Sequence, residues 1–374
     1  MRKVLSIIFI FVISISTLIL QSCSKTNKED VVEVGAILPL TGNISFLGVP
    51  QKNAIELAVE KFNKQYDKKV KIIWGDSKGK STDAVSIVNK MFVANKIKYY
   101  IAFLTGVNES IKPIIEKNDA LLFALSFYPP LVHDTENVLR IFYNADEEAF
   151  LLSNYVKKQN YEDVRISIIR STDAVTEYET REFLIPRLKS FTGFVYDIPF
   201  NVGQKDLKAE VQKAKNNNPD YIVILGFGSD FPNILKEILI NFKNIPNIIG
   251  GIGFLEAKDK IKHDNIMENV KFVVPSFMLS SKNDEYLTLS STYKQRFNSV
   301  LTYDGIYAHE NIKILIKTLN SISSSATPEE VREAIILKKY FPGIAGEIEI
   351  QENGDSKSPL ILVEMKNDNL IRVE

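Results

Sequence analysis

VVEVGAILPLTGNISFLGVPQKNAIELAVEKF, residues 31–62, is the stretch from which the fold class can be read. Its opening, Val31–Leu38, is an apolar, β-branched run of strand length that stops at the turn cluster Pro39, Leu40, Thr41, Gly42, so it reads as a buried strand. From Pro50 onward Ala54, Ile55, Leu57, Ala58 and Phe62 recur at helical spacing with Glu and Lys between them, which predicts one amphipathic helix. A strand that feeds a loop and then a helix puts the loop at the carboxyl edge of a parallel sheet, where open α/β folds bind ligands. The loop 41–48 is therefore the first candidate for ligand contact, against the plainer reading of a connection between two core elements.

Upstream, Arg2 and Lys3 precede an almost unbroken apolar stretch, 4–20, that closes on Leu20-Gln21-Ser22-Cys23. This resembles a bacterial lipoprotein signal peptide, in which Leu stands three residues before a lipid-modified Cys and a small residue just before it. The resemblance implies a signal peptide over 1–22, lipidation at Cys23 and a polar tether over 23–30. The protein would then sit in the cell envelope, anchored to a membrane by lipid and facing the periplasm or exterior. An uncleaved anchor is the alternative, since about 17 to 25 apolar residues span a bilayer. Cys23 is the only cysteine of the 374 residues, which excludes disulfides, Cys-based metal sites and Cys catalysis from the body of the chain. Lys plus Arg and Asp plus Glu both number 46, leaving no global field for nucleic acid or an anionic membrane surface. The length suffices for two ordinary domains.

Downstream, strand and helix alternate: strands over 69–74, 99–104 and 121–125, helices over 84–94, with Ser81 or Thr82 as cap, and 107–116. Strict alternation predicts a parallel, doubly wound sheet. The pattern restarts with a helix over 147–158. Strands at 164–169, 221–226, 245–250 and 270–275, with helices at 175–188, 207–214 and 233–241, imply a second parallel sheet of similar size. Helices follow over 285–297, 304–319 and 328–337, the last opened by a capping box of Thr327, Pro328 and Glu330. The end alternates like antiparallel strands, 346–350, 360–364 and 371–374, around an Asn353-Gly354 turn.

The opening stretch is similar to that of the branched-chain amino-acid (Leu/Ile/Val) binding proteins, type I periplasmic binding proteins of ABC transporters, in Pro39, Thr41, Gly42, Gly48, Ala54, Ala58, Phe62 and Asn63. GQKDLKAEVQKAKNNNPDYIVILGFGSD (203–230), YDGIYAHENIKILIKTL (303–319) and GIAGEIEIQENGD (343–355) resemble later segments of that family in order. The resemblance covers nearly all of 31–374 and implies an α/β fold of two doubly wound parallel-sheet lobes with a ligand cleft between them. The first lobe would hold 31–145 with 276–350 and the second 146–275 with 351–374, with hinge strands near Ala145, Val274 and Gln351.

In that family the ligand's α-carboxylate is held by backbone N–H groups and hydroxyls at helix N-termini of the first lobe, where the helix dipole favours an anion. The matching loops here give Thr105-Gly106 and Ser126-Phe127. A Tyr-Gly expected after the strand 164–169 is replaced by Val175, with Tyr178 three residues later. The acidic residue that takes the ligand's ammonium follows a Gly-Gly, but Gly250-Gly251 is followed by Ile252. A buried ammonium without a counter-charge is strongly disfavoured. The expected ligand therefore has an anionic or polar end at Thr105 and Ser126 and an apolar body against Phe46, Phe127, Tyr128 and Phe227, unless Asp173, Glu177, Asp230 or Glu256 supplies the charge. Any of these aromatics can equally pack a lobe edge.

Other signals are weaker. The run 75–81, Gly-Asp-Ser-Lys-Gly-Lys-Ser, is one residue short of a phosphate loop and reads as a solvated turn. Gly226-Phe227-Gly228 lacks the third Gly of a dinucleotide fingerprint. His133, His263 and His309 have no second ligand at metal spacing and fit surface or capping roles. No G-x-S-x-G elbow or H-E-x-x-H helix is present, and Asp146-Glu147-Glu148 and Glu329-Glu330 stand at helix starts, where they complement the macrodipole. The reading that follows is a non-enzymatic, cofactor-free solute-binding lipoprotein, monomeric, that closes its lobes on an amino-acid-like or small carboxylate or amide ligand and presents it to an ABC permease. A ligand sensor or envelope interaction module of the same fold, without transport, is the alternative.

Overall fold

The computed structural model describes residues 31–159, 163–228, 230–257, 266, 270–279, 284–366 and 369–373. The signal-peptide, lipidation and tether assignments and His263 lie outside these residues. The first sheet is parallel throughout, in the order β2-β1-β3-β4-β5, from β1 (Val31–Leu38), β2 (Lys69–Asp76), β3 (Tyr99–Phe103), β4 (Leu121–Leu125) and β5 (Val138–Arg140). Helices α1 (Ser45–Gln65), α2 (Ser81–Asn95) and α3 (Thr105–Lys117) connect its first four strands. β3 and β4 are buried at every position, as apolar runs covered on both faces must be.

The second sheet runs β15-β14-β10-β9-β8-β6-β7. After α4 (Ala145–Lys158) come β6 (Ile166–Ser171), α5 (Ala174–Tyr178), a π-helical turn over Glu179–Leu184 that continues into Ile185–Lys189, and β7 (Val195–Phe200). α6 (Lys208–Asn216), β8 (Tyr221–Leu225), α7 (Phe231–Asn241), β9 (Asn247–Gly250), α8 (Gly253–Ala257) and β10 (Val270–Pro275) complete the parallel part. Helices α9 (Asp284–Phe297), α10 (Tyr303–Leu319) and α11 (Pro328–Lys338) follow, then a small antiparallel sheet of β11 (Tyr340–Gly343), β12 (Gly346–Ile350) and β13 (Ser356–Lys357). The hairpin β14 (Leu360–Lys366) and β15 (Asn369–Arg372) then joins β10 antiparallel, so the second sheet is mixed rather than wholly parallel.

Each sheet reverses its winding once. In the first, the chain passes from β1 to β2 on one side and returns to β3 on the other; in the second, β7 and β8 flank β6 in the same way. Crevices at such reversals, beyond the carboxyl ends of the strands, are where open α/β sheets bind ligands. The chain passes from β5 of the first sheet to α4 and β6 of the second, leaves the second sheet after β10, and returns to it from β13 at β14. These crossings are tied together: Arg140 N–H donates to the Gly354 carbonyl at 2.8 Å, the Ser356 hydroxyl meets both Phe142 N and Phe142 O at 3.2 Å, and Ser276 N–H donates to Pro359 O at 2.8 Å.

Local departures from the sequence reading have clear causes. α1 starts at Ser45, five residues before the expected start, and carries Pro50 within it. Packing of its first turn decides this: Leu47 and Gly48 are buried, and a Cβ added at Gly48 would stand 2.2 Å from the Pro39 carbonyl oxygen. Gly48→Ala is therefore expected to destabilise the fold by about 1–3 kcal/mol, measured by urea unfolding, because the clash is with backbone that cannot rotate away. The α2 cap is also not a hydroxyl: Lys80 holds the cap position without a side-chain bond, and Ser81 Oγ donates instead to Gly106 O at 2.7 Å. The capping box at Thr327 and Glu330 forms as read.

Candidate functional site

The loops at both winding reversals face one cavity of about 210 Å³. From the first sheet come Leu47, Thr105, Gly106, Ser126 and Phe127; from the second come Val175, Phe227, Gly251 and Ile252. Thr105 opens α3, and its hydroxyl lies 2.8 Å from that of Ser126, both buried. The residue before it, Leu104, has φ +80°, a conformation rarely adopted by a residue with a side chain. Strain of this kind persists only where the surroundings over-determine it, and it clusters at ligand-contacting segments. Ser126 is fixed from behind as well, because the fully buried guanidinium of Arg140 donates to its carbonyl at 2.8 Å. On the cavity wall, Phe127 stacks on Tyr143 with ring centroids 5.5 Å apart and 7° between planes.

Of the residues singled out in the sequence, Thr105, Gly106, Ser126, Phe127, Val175, Phe227 and Ile252 line this cavity. Phe46 does not: it is 47% exposed, and Leu47 lines the wall in its place, because the chain is already helical there and successive side chains point in different directions. The rest of the 41–48 loop is structural. Asp76, at the end of β2, accepts from Leu40 N at 2.9 Å, Thr41 N at 3.2 Å and the Thr41 hydroxyl at 2.5 Å. Tyr128 and Tyr178 line an adjoining recess, where they meet edge to face with centroids 4.8 Å apart, one from each sheet's side of the cleft.

The charges on the cavity wall differ from those sought in the sequence. Glu177 pairs with Arg181 at 2.9 Å in the adjoining recess, and Asp230 turns back to accept from Phe227 N at 3.1 Å. Asp173 does line the cavity, where Oδ1 caps α5 by accepting from Val175 and Thr176 N–H. Two carboxylates that sequence reasoning passed over join it on that side, and a third, Asp304, lines the cavity from the start of α10. Glu148, on the first turn of α4, accepts from Ile252 N–H at 2.8 Å through Oε1 and packs so tightly on Gly251 that a Cβ there would fall 2.1 Å from that oxygen. The acid missing after Gly250-Gly251 in the sequence is thus present beside Ile252 in space, supplied from 104 positions away. Glu179 opens the π-helical turn, a distortion often found at functional sites. Each of the two is 4% exposed.

Burial pushes the Glu148 carboxyl up, against the opposing hydrogen bond from Ile252. Burial also holds Glu179 well above the ordinary carboxylate range, and the Glu148 and Asp173 charges add to the effect. A carboxyl raised in the folded state retains a proton that the unfolded chain has released, so stability falls as pH rises from the ordinary carboxylate range to the raised one. Glu179→Gln removes this cost. It is expected to raise the melting temperature of the empty protein near neutral pH by about 2 °C, seen by calorimetry, with no gain at pH values below the ordinary range.

The remaining sequence signals take structural places. His309 is fully buried on α10, not at the surface, with Nδ1 3.0 Å from Glu310 Oε1. The 75–81 run spans the end of β2, a turn held by Asp76 with positive φ at Lys78 and Gly79, and the start of α2. Among the described residues no group of three or more His, Cys, Asp or Glu could hold a metal ion, and no helix is long and apolar enough to cross a membrane.

Comparison with known proteins agrees with this architecture. The chain is 23% identical to the Leu/Ile/Val-binding protein BraC3 of Rhizobium johnstonii, over 87% of this chain and 89% of that one. It is 26% identical to Leu/Ile/Val-binding protein homolog 3 of Brucella melitensis, over 88% and 89%. In structure it resembles a leucine binding protein, LivK, of Thermotoga maritima, with a TM-score of 0.79 and 21% identity over 92% of this chain and 98% of that one. It also resembles the branched-chain amino acid transporter substrate binding protein LivJ of Streptococcus pneumoniae, solved in complex with isoleucine, with a TM-score of 0.75 and 16% identity over 91% and 97%. The profile of the family described as periplasmic binding protein matches residues 31–369, and to that family the chain belongs.

Proposed function

We propose that the protein is a solute-binding lipoprotein of an ABC importer, which captures an amino-acid-like ligand by closing two lobes over it and presents the closed form to the permease. The observation that carries this reading is the cavity itself, lined by loops from both winding reversals, with the paired Thr105 and Ser126 hydroxyls at the start of α3 on one wall and apolar surface from Leu47, Phe127, Val175 and Ile252 around it. Exposed N–H groups at a helix start and two hydroxyls suit a carboxylate without any cationic side chain. Ligand contacts drawn from both lobes favour the closed form, which is what a permease can distinguish from the open one. The lipid anchor rests on Leu20-Gln21-Ser22-Cys23, and the likeness to LivJ, named as a transporter substrate binding protein, supports transport over sensing.

The test is thermal unfolding of the purified full-length protein in detergent with a panel of amino acids, their 2-oxo and 2-hydroxy analogues and short amides. A true ligand at about a hundred times its dissociation constant stabilises by about 2.7 kcal/mol, and a panel without any shift sinks the reading. Thr105→Val is expected to weaken binding at least about tenfold by calorimetry, since a hydrogen bond to a charged group contributes about 1.5–3 kcal/mol.

A further inference from the structure

The two walls of the cavity are unlike. The first-lobe wall offers hydroxyls, a helix start and the single carboxylate of Asp304, whereas the second-lobe wall concentrates Glu148, Glu179 and Asp173, and among the described residues no Lys, Arg or His lines the cavity. These acids have been brought together from three separate places: the first turn of α4, the π-helical turn and the cap of α5. Glu148 is anchored through one oxygen by Ile252 N–H. Glu179 Oε1 and Asp173 Oδ2 are buried and meet no hydrogen-bond donor among the described residues. Buried carboxylate oxygens are normally paired, and an orphaned one calls for an explanation by a proton, an ion or a ligand.

We propose that Glu148 and Glu179 act as a proton-sharing pair that receives a cationic nitrogen of the ligand, so that capture expels a proton to solvent and acidification releases the ligand. The proposal rests on the solute-binding reading above and assigns the charge that position 252 lacks. Without ligand, two carboxylates buried on one cavity wall cannot both ionise cheaply, and one keeps a proton. When an ammonium enters, both carboxylates can be ionised around it, and the displaced proton leaves to water. No bond of the ligand is made or broken. The raised titration of both groups agrees with this arrangement.

Among the described residues the charged surroundings supply no resident counter-ion. Arg170, buried on β6, is committed to Asp197 by two bonds of 2.8 and 2.9 Å. Arg187, on the helix after the π turn, pairs with Asp146, and Arg181 pairs with Glu177. Across the cavity the facing titratable groups are Asp304 and Tyr303 at the start of α10 and Tyr143 before α4, with Glu109 and Glu182 in the adjoining recess beside Tyr128 and Tyr178. All are acids or phenols, so none replaces the ligand's cation.

The experiment is calorimetry of the full-length protein with L-leucine and with its deaminated 2-oxo acid, in buffers of different ionisation enthalpy, between about pH 5 and pH 8. Release of one proton makes affinity rise by up to about tenfold per pH unit. Leucine is expected to bind with proton release and with affinity rising with pH, while the oxo acid binds far more weakly or takes up a proton. Glu179→Gln is expected to abolish the proton release, which loss of a merely structural contact would not do; Glu148→Gln, whose amide oxygen can still accept from Ile252, checks the second partner. Binding of leucine without proton exchange, or equal binding of the oxo acid, overturns the proposal. Infrared difference spectroscopy of the empty protein reads the pair without any ligand. A protonated carboxyl band near neutral pH that disappears in both Gln variants supports it, and absence of the band overturns it. A band in a protein that binds nothing upholds the proton pair and sinks the solute-binding reading instead.

Discussion

Arg140→Met is expected to cost about 3–5 kcal/mol of unfolding free energy in urea denaturation, the range for removing one member of a buried ion pair. Arg140 is completely buried, pairs with Asp355 and donates at 2.8 Å to the carbonyls of both Ser126 and Tyr143. The substitution leaves the Asp355 carboxylate buried without its cation and two carbonyls without a donor. It also slackens the place where the chain crosses between sheets, since Asp355 belongs to the last crossing and Tyr143 to the first. The double variant Arg140→Met, Asp355→Leu separates the two effects. Replacing both partners by apolar groups is expected to recover much of the stability, yet the Ser126 loop stays unsupported, so ligand affinity stays low. Full recovery of binding in the double variant would show that Arg140 does nothing for the cavity.

Lys313→Met is expected to have an effect of similar size by the same measurement. Lys313 is buried on α10 and reaches Glu310 at 3.2 Å and Glu285 of α9 at 3.0 Å, while Lys61 of α1 binds the other oxygen of Glu285 at 2.9 Å. One carboxylate, Glu285, thus ties three helices through two lysines. Burial by itself would raise the Glu285 carboxyl, but the hydrogen bond from Lys61 and the charge and hydrogen bond of Lys313 outweigh it and hold Glu285 at about 2. A carboxyl held below its ordinary 4.5 contributes stability that is full above that value and is lost as pH falls toward about 2. Each unit of such a shift is worth about 1.4 kcal/mol before the discount for solvent screening that a partly exposed carboxylate requires. The acid limb of the stability curve should therefore be shallower in Lys313→Met than in the natural chain. An unchanged limb would mean that Lys61 alone depresses Glu285.

Elements whose signal is local were legible in the sequence. β1 and β4 appear with the ends that were read, because an unbroken apolar run between turn residues has few other uses, and the Thr327 capping box specifies its own helix start. β5, β7, β11 and β13 were not read: β5 is three residues long and includes Arg140, β13 has two residues, and β7 and β11 carry Pro199 and Pro342. The apolar part of the cavity followed from loop positions, and of its charge Asp173 was named but Glu148 and Glu179 were not. Glu148 was absorbed into a run of acids suited to a helix start, although Asp146, Glu147 and Glu148 do three different things: they pair with Arg187, accept from Leu360 N–H and line the cavity. A signal was available. Ala145, Glu148, Ala149, Leu152 and Val156 form the buried stripe of α4, and a carboxylate on an apolar stripe is far less common than one at a helix start. Which group it would meet, however, depended on a contact 104 residues distant.

The position of Glu148 on its helix has a mechanical side. It stands three residues into α4 from Ala145, about 4.5 Å along the helix axis from the point where the chain enters the second lobe. A group so near the axis of a swinging door travels a short arc, whereas side chains farther from the crossings sweep a long one. Under the closure proposed above, Glu148 would hold nearly the same station with the door ajar or shut, a fixed post rather than a moving jaw. Ligands of different girth would be accommodated by the residues that travel, and their charged end would always come to rest in one place.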